Sequence, residues 1–281
     1  MSMGLGTQAR SPNVSVGLFK DMARIKTQKE IELMRQGGAI LSRALACSVL
    51  SVRPGVMLRT LDDAAEAAMR EEGAEPSFKG YRVRKDDLPF PSTVCLSVND
   101  EIVHGSGKRD VELKEGDVVG LDIGCWYKGL CTDMAVTVGV GTISKDAEVL
   151  IRVTRAACLA AVETLKPGAK LGDVGKAVER IIEPYGFGNV RALGGHGVGH
   201  AVHEDPHILN YYTPISDRTV IEEGMCLAIE PMLTLGTSNV ETGEDGWSVL
   251  VADGSLGAHF EVSTAIGPHG AEILTPWPEG I

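Results

Sequence analysis

Residues 113–122, LKEGDVVGLD, are echoed 108 positions later by IEEGMCLAIE (221–230), so that Asp122 falls on Glu230. An earlier block repeats in nearly the same register. A shift of 113 lays Pro54-Gly55 on Pro167-Gly168, Leu58 on Leu171, AAEAAM (64–69) on AVERII (177–182) and Gly73 on Gly186. Helix–Pro-Gly–helix is common enough to recur by chance. Two blocks repeated in the same order, the second ending in an acid both times, point instead to a duplicated unit. The fold this implies is α+β: two αα-plus-β-hairpin halves related by a pseudo-twofold, with helices covering one side of a mostly antiparallel sheet. A cleft would lie between the halves, and a site on the axis would draw one set of ligands from each.

Local signals agree with that plan. Thr27-Gln-Lys-Glu30 is a capping-box pattern, followed by Ile31, Met34, Ala39, Leu41, Leu45 and Val49 at roughly helical recurrence, and this helix should stop before Arg53-Pro54-Gly55. A second pattern, Thr60-Leu-Asp-Asp63, predicts the start of a helix ending near Gly73. STVCLSV (92–98) reads as a strand, and residues 117–140 as two strands around a Lys128-Gly129 turn. Ser144 should cap a long helix to about Leu165, with a shorter one from Asp173 to Glu183. Residues 1–24, rich in Ser, Gly and Asn without a period, read as an irregular N-terminal arm, and 25–281 as one domain.

Several function classes are disfavoured by composition. A net charge of −11 argues against a broad basic face for nucleic acid or anionic membrane. No apolar run approaches the roughly 18 residues of a membrane span, and the N-terminus shows no secretory signal pattern. The six cysteines (47, 95, 125, 131, 158, 226) are scattered without a CxxC pair, which is expected of reduced thiols in the cytoplasm. With none before Cys47, no N-terminal zinc finger is expected.

Four acids sit where acids are costly: Asp122 in VVGLDIGC, Asp133 in LCTDMAVTV, Glu230 in CLAIEPML and Glu261 in AHFEVSTAI. One carboxylate in an apolar strand is compatible with a buried salt bridge. Four are not, because the nearby cations, Lys128 and Arg218, fall in turns or loops. Divalent metal is the economical counter-charge, and four carboxylates suit two hard ions better than one.

Four of the seven histidines crowd into GGHGVGHAVHEDPH (194–207). His196 and His200 have the i,i+4 spacing of zinc ligands on a helix, but Gly197 and Gly199 lie between them and two more glycines precede. Each glycine costs about 1 kcal/mol in a helix interior, so an extended or looped segment aiming His196 into the cleft is the better reading. On the same grounds His200 and His207 are surface or supporting residues. His104, at the end of the strand-like run in NDEIVHGSG, is compatible with either a loop or a site role.

Taken together, Asp122 and Asp133 eleven apart, HGVGHAVHE, AIEPML and HFE resemble the metal-binding signature of the type I methionine aminopeptidases, within the creatinase/prolidase superfamily and its pita-bread fold. The resemblance covers residues 25 to 275. It implies that Asp122, Asp133, His196, Glu230 and Glu261 hold two divalent ions (Co, Mn, Fe or Zn), with Asp133 and Glu261 bridging, Asp122 on one ion, and His196 and Glu230 on the other. Glu230 would shuttle a proton, while His104 and His203 would face the substrate. Phe78, Tyr81, Phe90, Cys95, Val202 and Trp247 would line a methionine pocket. The implied enzyme is a cytoplasmic monomer removing methionine from nascent polypeptide N-termini, which would bring it to the ribosome, with no nucleic-acid or membrane binding of its own.

Three departures from the family pattern stand out. RVRKDDLP (82–89) makes a loop about six residues longer than usual beside the pocket. Gly-Ser-Gly follows His104 in place of Gly-Ile-Pro, and Val262 stands where a histidine is usual. Two alternatives compete with the aminopeptidase. A proline-directed relative, a prolidase or aminopeptidase P, usually carries a long additional N-terminal domain that about 25 irregular residues do not make. A metal-free binding protein on the same scaffold would be expected to lose ligands, and all five are present.

Overall fold

The computed structural model describes residues 24–281, so the arm expected at residues 1–24 lies, apart from Arg24, outside the described residues. Helix α1 (Gln28–Val49) begins as its sequence requires. Thr27 Oγ1 accepts from the Glu30 amide, and the Glu30 carboxylate accepts from the Thr27 amide at 2.7 Å. Helix α2 (Leu58–Glu71) does not start at the Thr60 pattern but two residues earlier, at Leu58. Tertiary pairing decides this start: the Leu58 amide donates to the Val111 carbonyl at 3.0 Å, beside a Met57–Glu112 bridge. Buried Asp62 then pins α2 to the sheet by accepting from the Thr93 and Val94 amides, each at 2.8 Å. Helix α3 (Lys145–Val162) is capped by Ser144, whose hydroxyl accepts from the Ala147 amide, and α4 spans Gly172–Ile182.

Nine strands make the main sheet. Its order is Glu75–Pro76, Val118–Tyr127, Leu130–Gly139, Glu261–Gly267, Cys226–Ile229, Gly195–Gly197 and Glu204–Ile208; Val94–Val98 also pairs with Val118–Tyr127, and Gly270–Ile273 with Glu261–Gly267. All of these pairings are antiparallel. The first half contains the expected hairpin, turning at Lys128-Gly129. The second half contains the equivalent pair, Cys226–Ile229 with Glu261–Gly267, but it is not a tight hairpin. Between those strands the chain makes an excursion through Met232–Thr234, Val240–Thr242, Val249–Val251 and Gly257–His259, which belong to two small three-stranded sheets. The halves meet where the Asp133 strand pairs with the Glu261 strand.

Alternation divides the two faces of this sheet. Leu121, Ile123, Met134, Val136 and Val262 join Leu41 and Leu45 of α1 and Val153 and Ala157 of α3 in the principal core. The acids between them point the other way. All six cysteines are free thiols, and among the described residues no helix is long and apolar enough to cross a membrane.

Candidate active site

Register brings the distant acids together. Asp122 and Glu261 both lie opposite Ala135, one on each neighbouring strand, and opposed residues share a face. Asp133, two residues from Ala135, faces the same side. Val262 lies opposite Ile229, which makes Glu261 and Glu230 neighbours one step along, and His196 lies opposite Ala228, two residues before Glu230. All five side chains line one cleft of about 960 Å³. The glycines around His196 are there for close approach: a Cβ on Gly195 would sit 2.4 Å from the Ala228 carbonyl oxygen, and one on Gly197 2.3 Å from that of Asp205. The His196 strand is thus extended, as the glycines implied.

One ligand atom from each of Asp133, His196 and Glu261 falls within 4.8 Å of the others. His196 Nε2 is 3.4 Å from Glu230 Oε1 and 4.0 Å from Glu261 Oε1, and Asp122 is within hydrogen-bonding reach of Asp133. Burial, the largest cause, pushes the Asp122 carboxyl up to about 7. Burial also raises Asp133 well above its ordinary range, helped by the charges of Glu261 and Asp122, and does the same to Glu230 and Glu261. The imidazoles move the other way. Burial lowers His196 to about 3 and His104 to about 4, with His203 adding to both. Every histidine of the cleft is therefore neutral near pH 7.

This donor set fits a divalent cation. Asp122 Oδ1, Asp133 Oδ1 and Glu261 Oε1 are buried and find no hydrogen-bond partner among the described residues. The ion-pair partners of Glu230 and Glu261 there are neutral histidines rather than Lys or Arg. Buried acids without a cation are strongly unfavourable, and neutral imidazole with carboxylates is a ligand set for Mn, Fe, Co or Zn.

Phe78, Tyr81, Phe90, Cys95, His104, His203 and Trp247 line the cleft, as expected of them, and Phe90 meets Trp247 edge-to-face at 5.3 Å. Val202 does not. Its neighbour His203 takes the cleft side, and Val202 is buried behind the wall in the apolar cluster of Phe78, Phe90 and Cys95. His104 has φ 62°, a left-handed conformation uncommon for a residue with a Cβ. His200 lies apart from the cluster, its Nε2 2.8 Å from Glu30 Oε1, whereas His207 lines an adjoining pocket of about 470 Å³ that shares His104, His196, His203 and Glu230 with the cleft.

The three departures resolve differently. Val262 is buried in the helix-side core, so a valine there leaves the cleft untouched. Gly105 and Gly107 are tied down by Ser97 and Ser92, whose hydroxyls accept from their amides at 3.1 and 3.0 Å. The long loop does reach the site, contributing Val83, Arg84, Asp87 and Leu88 to the wall. One site residue was missed altogether. His259 is buried with Nε2 3.6 Å from Glu230 Oε2, and its position two residues before Glu261 was the available signal.

The model of metallopeptidase family M24 matches residues 32–268. The chain belongs to metallopeptidase family M24. Within M24 its likeness is to the methionine aminopeptidases. It is 42% identical over 254 residues to the methionine aminopeptidase of Clostridium perfringens, covering 90% of this chain and 99% of the relative. The crystal structure of the Thermotoga maritima methionine aminopeptidase superposes with a TM-score of 0.85 at 40% identity, covering 90% of this chain and 99% of that one. A prolidase from Pyrococcus furiosus is more distant, with a TM-score of 0.72 at 26% identity, and only 66% of its length is covered. The pita-bread fold expected from the motifs is thereby established.

Proposed function

We propose that this chain removes the N-terminal methionine from newly made proteins and peptides. It is a metal-dependent aminopeptidase, a hydrolase of the M24 family. The observation that carries the reading is the convergence of Asp122, Asp133, His196, Glu230 and Glu261 at the floor of a cleft with apolar walls. Residues 25–281 act as one catalytic domain, working as a cytoplasmic monomer on nascent chains.

Asp122, Asp133, His196, Glu230 and Glu261 would hold two divalent ions, with Asp122 at one end of the set and His196 and Glu230 at the other, a reading in keeping with the strand register. When bound, such ions polarise the scissile carbonyl and lower the pKa of a water. Asp133 and Glu261 share the centre because their strands adjoin. The Glu230 carboxylate accepts a proton from the attacking water and delivers it to the leaving amine. His203 donates a hydrogen bond to the scissile carbonyl oxygen, and His104 holds the amide nitrogen. Phe78, Tyr81, Phe90, Cys95 and Trp247 surround the unbranched thioether side chain, with Val202 packed behind them. The free α-amino group would be held beside the acid cluster, which would limit cleavage to the first residue.

Incubating manganese-loaded protein with Met-Gly-Met-Met and with Xaa-Pro peptides tests this. Methionine should be released from the first only, and both chelator and Asp133→Ala should stop it. Cleavage of Xaa-Pro would move the chain to proline-directed activity. No turnover with Mn, Fe, Co or Zn would make it a binding protein.

A further inference from the structure

His203 is open to the cleft, and its ring has one hydrogen-bond partner among the described residues: the Tyr81 hydroxyl, 3.1 Å from Nδ1. The two rings meet edge-to-face with centroids 5.6 Å apart, and on its other side His203 meets the His196 ring at 4.5 Å. His203 lies on an irregular, solvent-accessible segment. The two ring contacts set where its imidazole lies, and only the hydroxyl bond distinguishes its two nitrogens.

Tyr81 is itself rigidly placed. Its amide donates to the Phe78 carbonyl at 2.8 Å, its carbonyl accepts from the Phe90 amide at 2.8 Å, and the Gly80 amide closes the stem onto the Phe90 carbonyl at 2.8 Å. The excursion above this stem is braced within itself. The Arg84 amide donates to Asp87 Oδ2 at 2.7 Å, the Asp87 amide returns a bond to the Arg84 carbonyl at 3.0 Å, and the Arg82 guanidinium donates to the Asp87 carbonyl. The extra residues of the 82–89 loop therefore leave Tyr81 fixed at their base.

We propose that Tyr81 is a positioning residue for His203, beyond its place in the pocket wall: its hydroxyl donates to Nδ1 and so holds the tautomer with hydrogen on Nε2. A phenol is a good donor and the bare imidazole nitrogen a good acceptor. The two nitrogens of a neutral imidazole cannot both carry hydrogen, so occupying Nδ1 as acceptor leaves Nε2–H as the donor toward the substrate carbonyl. The opposite tautomer would present a lone pair to that oxygen and repel it. This inference rests on the substrate-facing role given to His203.

Tyr81→Phe separates positioning from pocket lining, because it keeps the ring and removes only the hydroxyl. In manganese-loaded protein cleaving Met-Gly-Met-Met, kcat should fall by about 10- to 100-fold with KM changed less than about twofold. The double variant Tyr81→Phe/His203→Ala should be no slower than His203→Ala. In metal-free protein with ¹⁵N-labelled histidine, the His203 signals, assigned by their loss in His203→Ala, should report the Nε2–H tautomer. In Tyr81→Phe they should report a mixture. A Tyr81→Phe kcat within twofold of the parent, or an unchanged tautomer, overturns the assignment. If His203→Ala is itself fully active, the role of His203 and this inference fall together. If His203→Ala is crippled while Tyr81→Phe is not, only the inference falls.

Discussion

The Asp122→Asn substitution turns the electrostatics of the metal-free site into a stability measurement. Asp122 is buried and its carboxyl is raised by that burial from an ordinary 3.8 to about 7. A raised carboxyl favours the protonated folded state, so its contribution is complete below about pH 4 and is lost as pH rises through 7. At 1.36 kcal/mol per pKa unit, ionising Asp122 in the metal-free protein costs about 4 kcal/mol by pH 8. Asparagine has the same shape and does not titrate. The metal-free variant should match the parent near pH 4 and exceed it by up to about 4 kcal/mol at pH 8. For a chain of this size that corresponds to a Tm gain of about 8–16 °C. Thermal and urea unfolding of chelator-treated protein, followed by circular dichroism across this pH range, gives the difference curve. Adding manganese should reverse the order, stabilising the parent more than a variant that has lost a ligand. A difference that is flat with pH, or a variant less stable than the parent at pH 8, would refute the reasoning.

Three further substitutions test the histidine cluster and its support. His196→Ala should lower kcat/KM for Met-Gly-Met-Met by about 100-fold or more, whereas His200→Ala, whose side chain meets Glu30 and, at 3.7 Å, Glu204, should stay within about threefold; equal losses would mean that the wrong histidine has been placed at the metal. Lys26→Met strips the buried ammonium 2.6 Å from Glu204, with side chains 1% and 10% exposed, and should cost about 3 kcal/mol in urea unfolding even though Glu204 keeps the His200 and Ala201 amides. A change under about 0.5 kcal/mol would show that pair to be dispensable.

What could be read in advance was whatever depends on neighbours in sequence or on burial pattern. The Thr27 box, the Lys128-Gly129 turn and the Ser144 cap are local devices, and each stands where it was expected. The start of α2 is a tertiary event, a backbone bond to Val111, and no residue near Thr60 encodes it. The split of the second hairpin was hidden in the same way, since the repeat aligned the acids without showing the excursion between Glu230 and Glu261. At the site, the acids announced themselves by being costly where they stood. His259 was signalled only by its place two residues before Glu261, and the Tyr81–His203 bond not at all, because an aromatic ring in an apolar context reads as core until its partner is known.

Folding and ligand placement are governed by one pattern. Along the two central strands Leu121, Ile123, Met134 and Val136 enter the helix-side core, each contributing roughly 1.5–3 kcal/mol through burial. A slip of one residue would turn all of them to the cleft and drive Asp122 and Asp133 into that core, so hydrophobic burial and the Lys128-Gly129 turn fix the same register. Once it is fixed, Asp122 and Glu261 must flank Ala135, with Asp133 two residues away on the same face. The duplicated halves then place equivalent acids at equivalent positions, Asp122 with Glu230 and Asp133 with Glu261. The strands that adjoin at the axis carry the central pair, and the outer strands carry the flanking pair. The charges that result oppose folding and the apolar core overcomes them, leaving a rigid concentration of carboxylate in a cleft with neutral imidazoles beside it. Affinity for divalent metal is what such a face has to offer, because a cation there relieves a repulsion that the fold has already accepted.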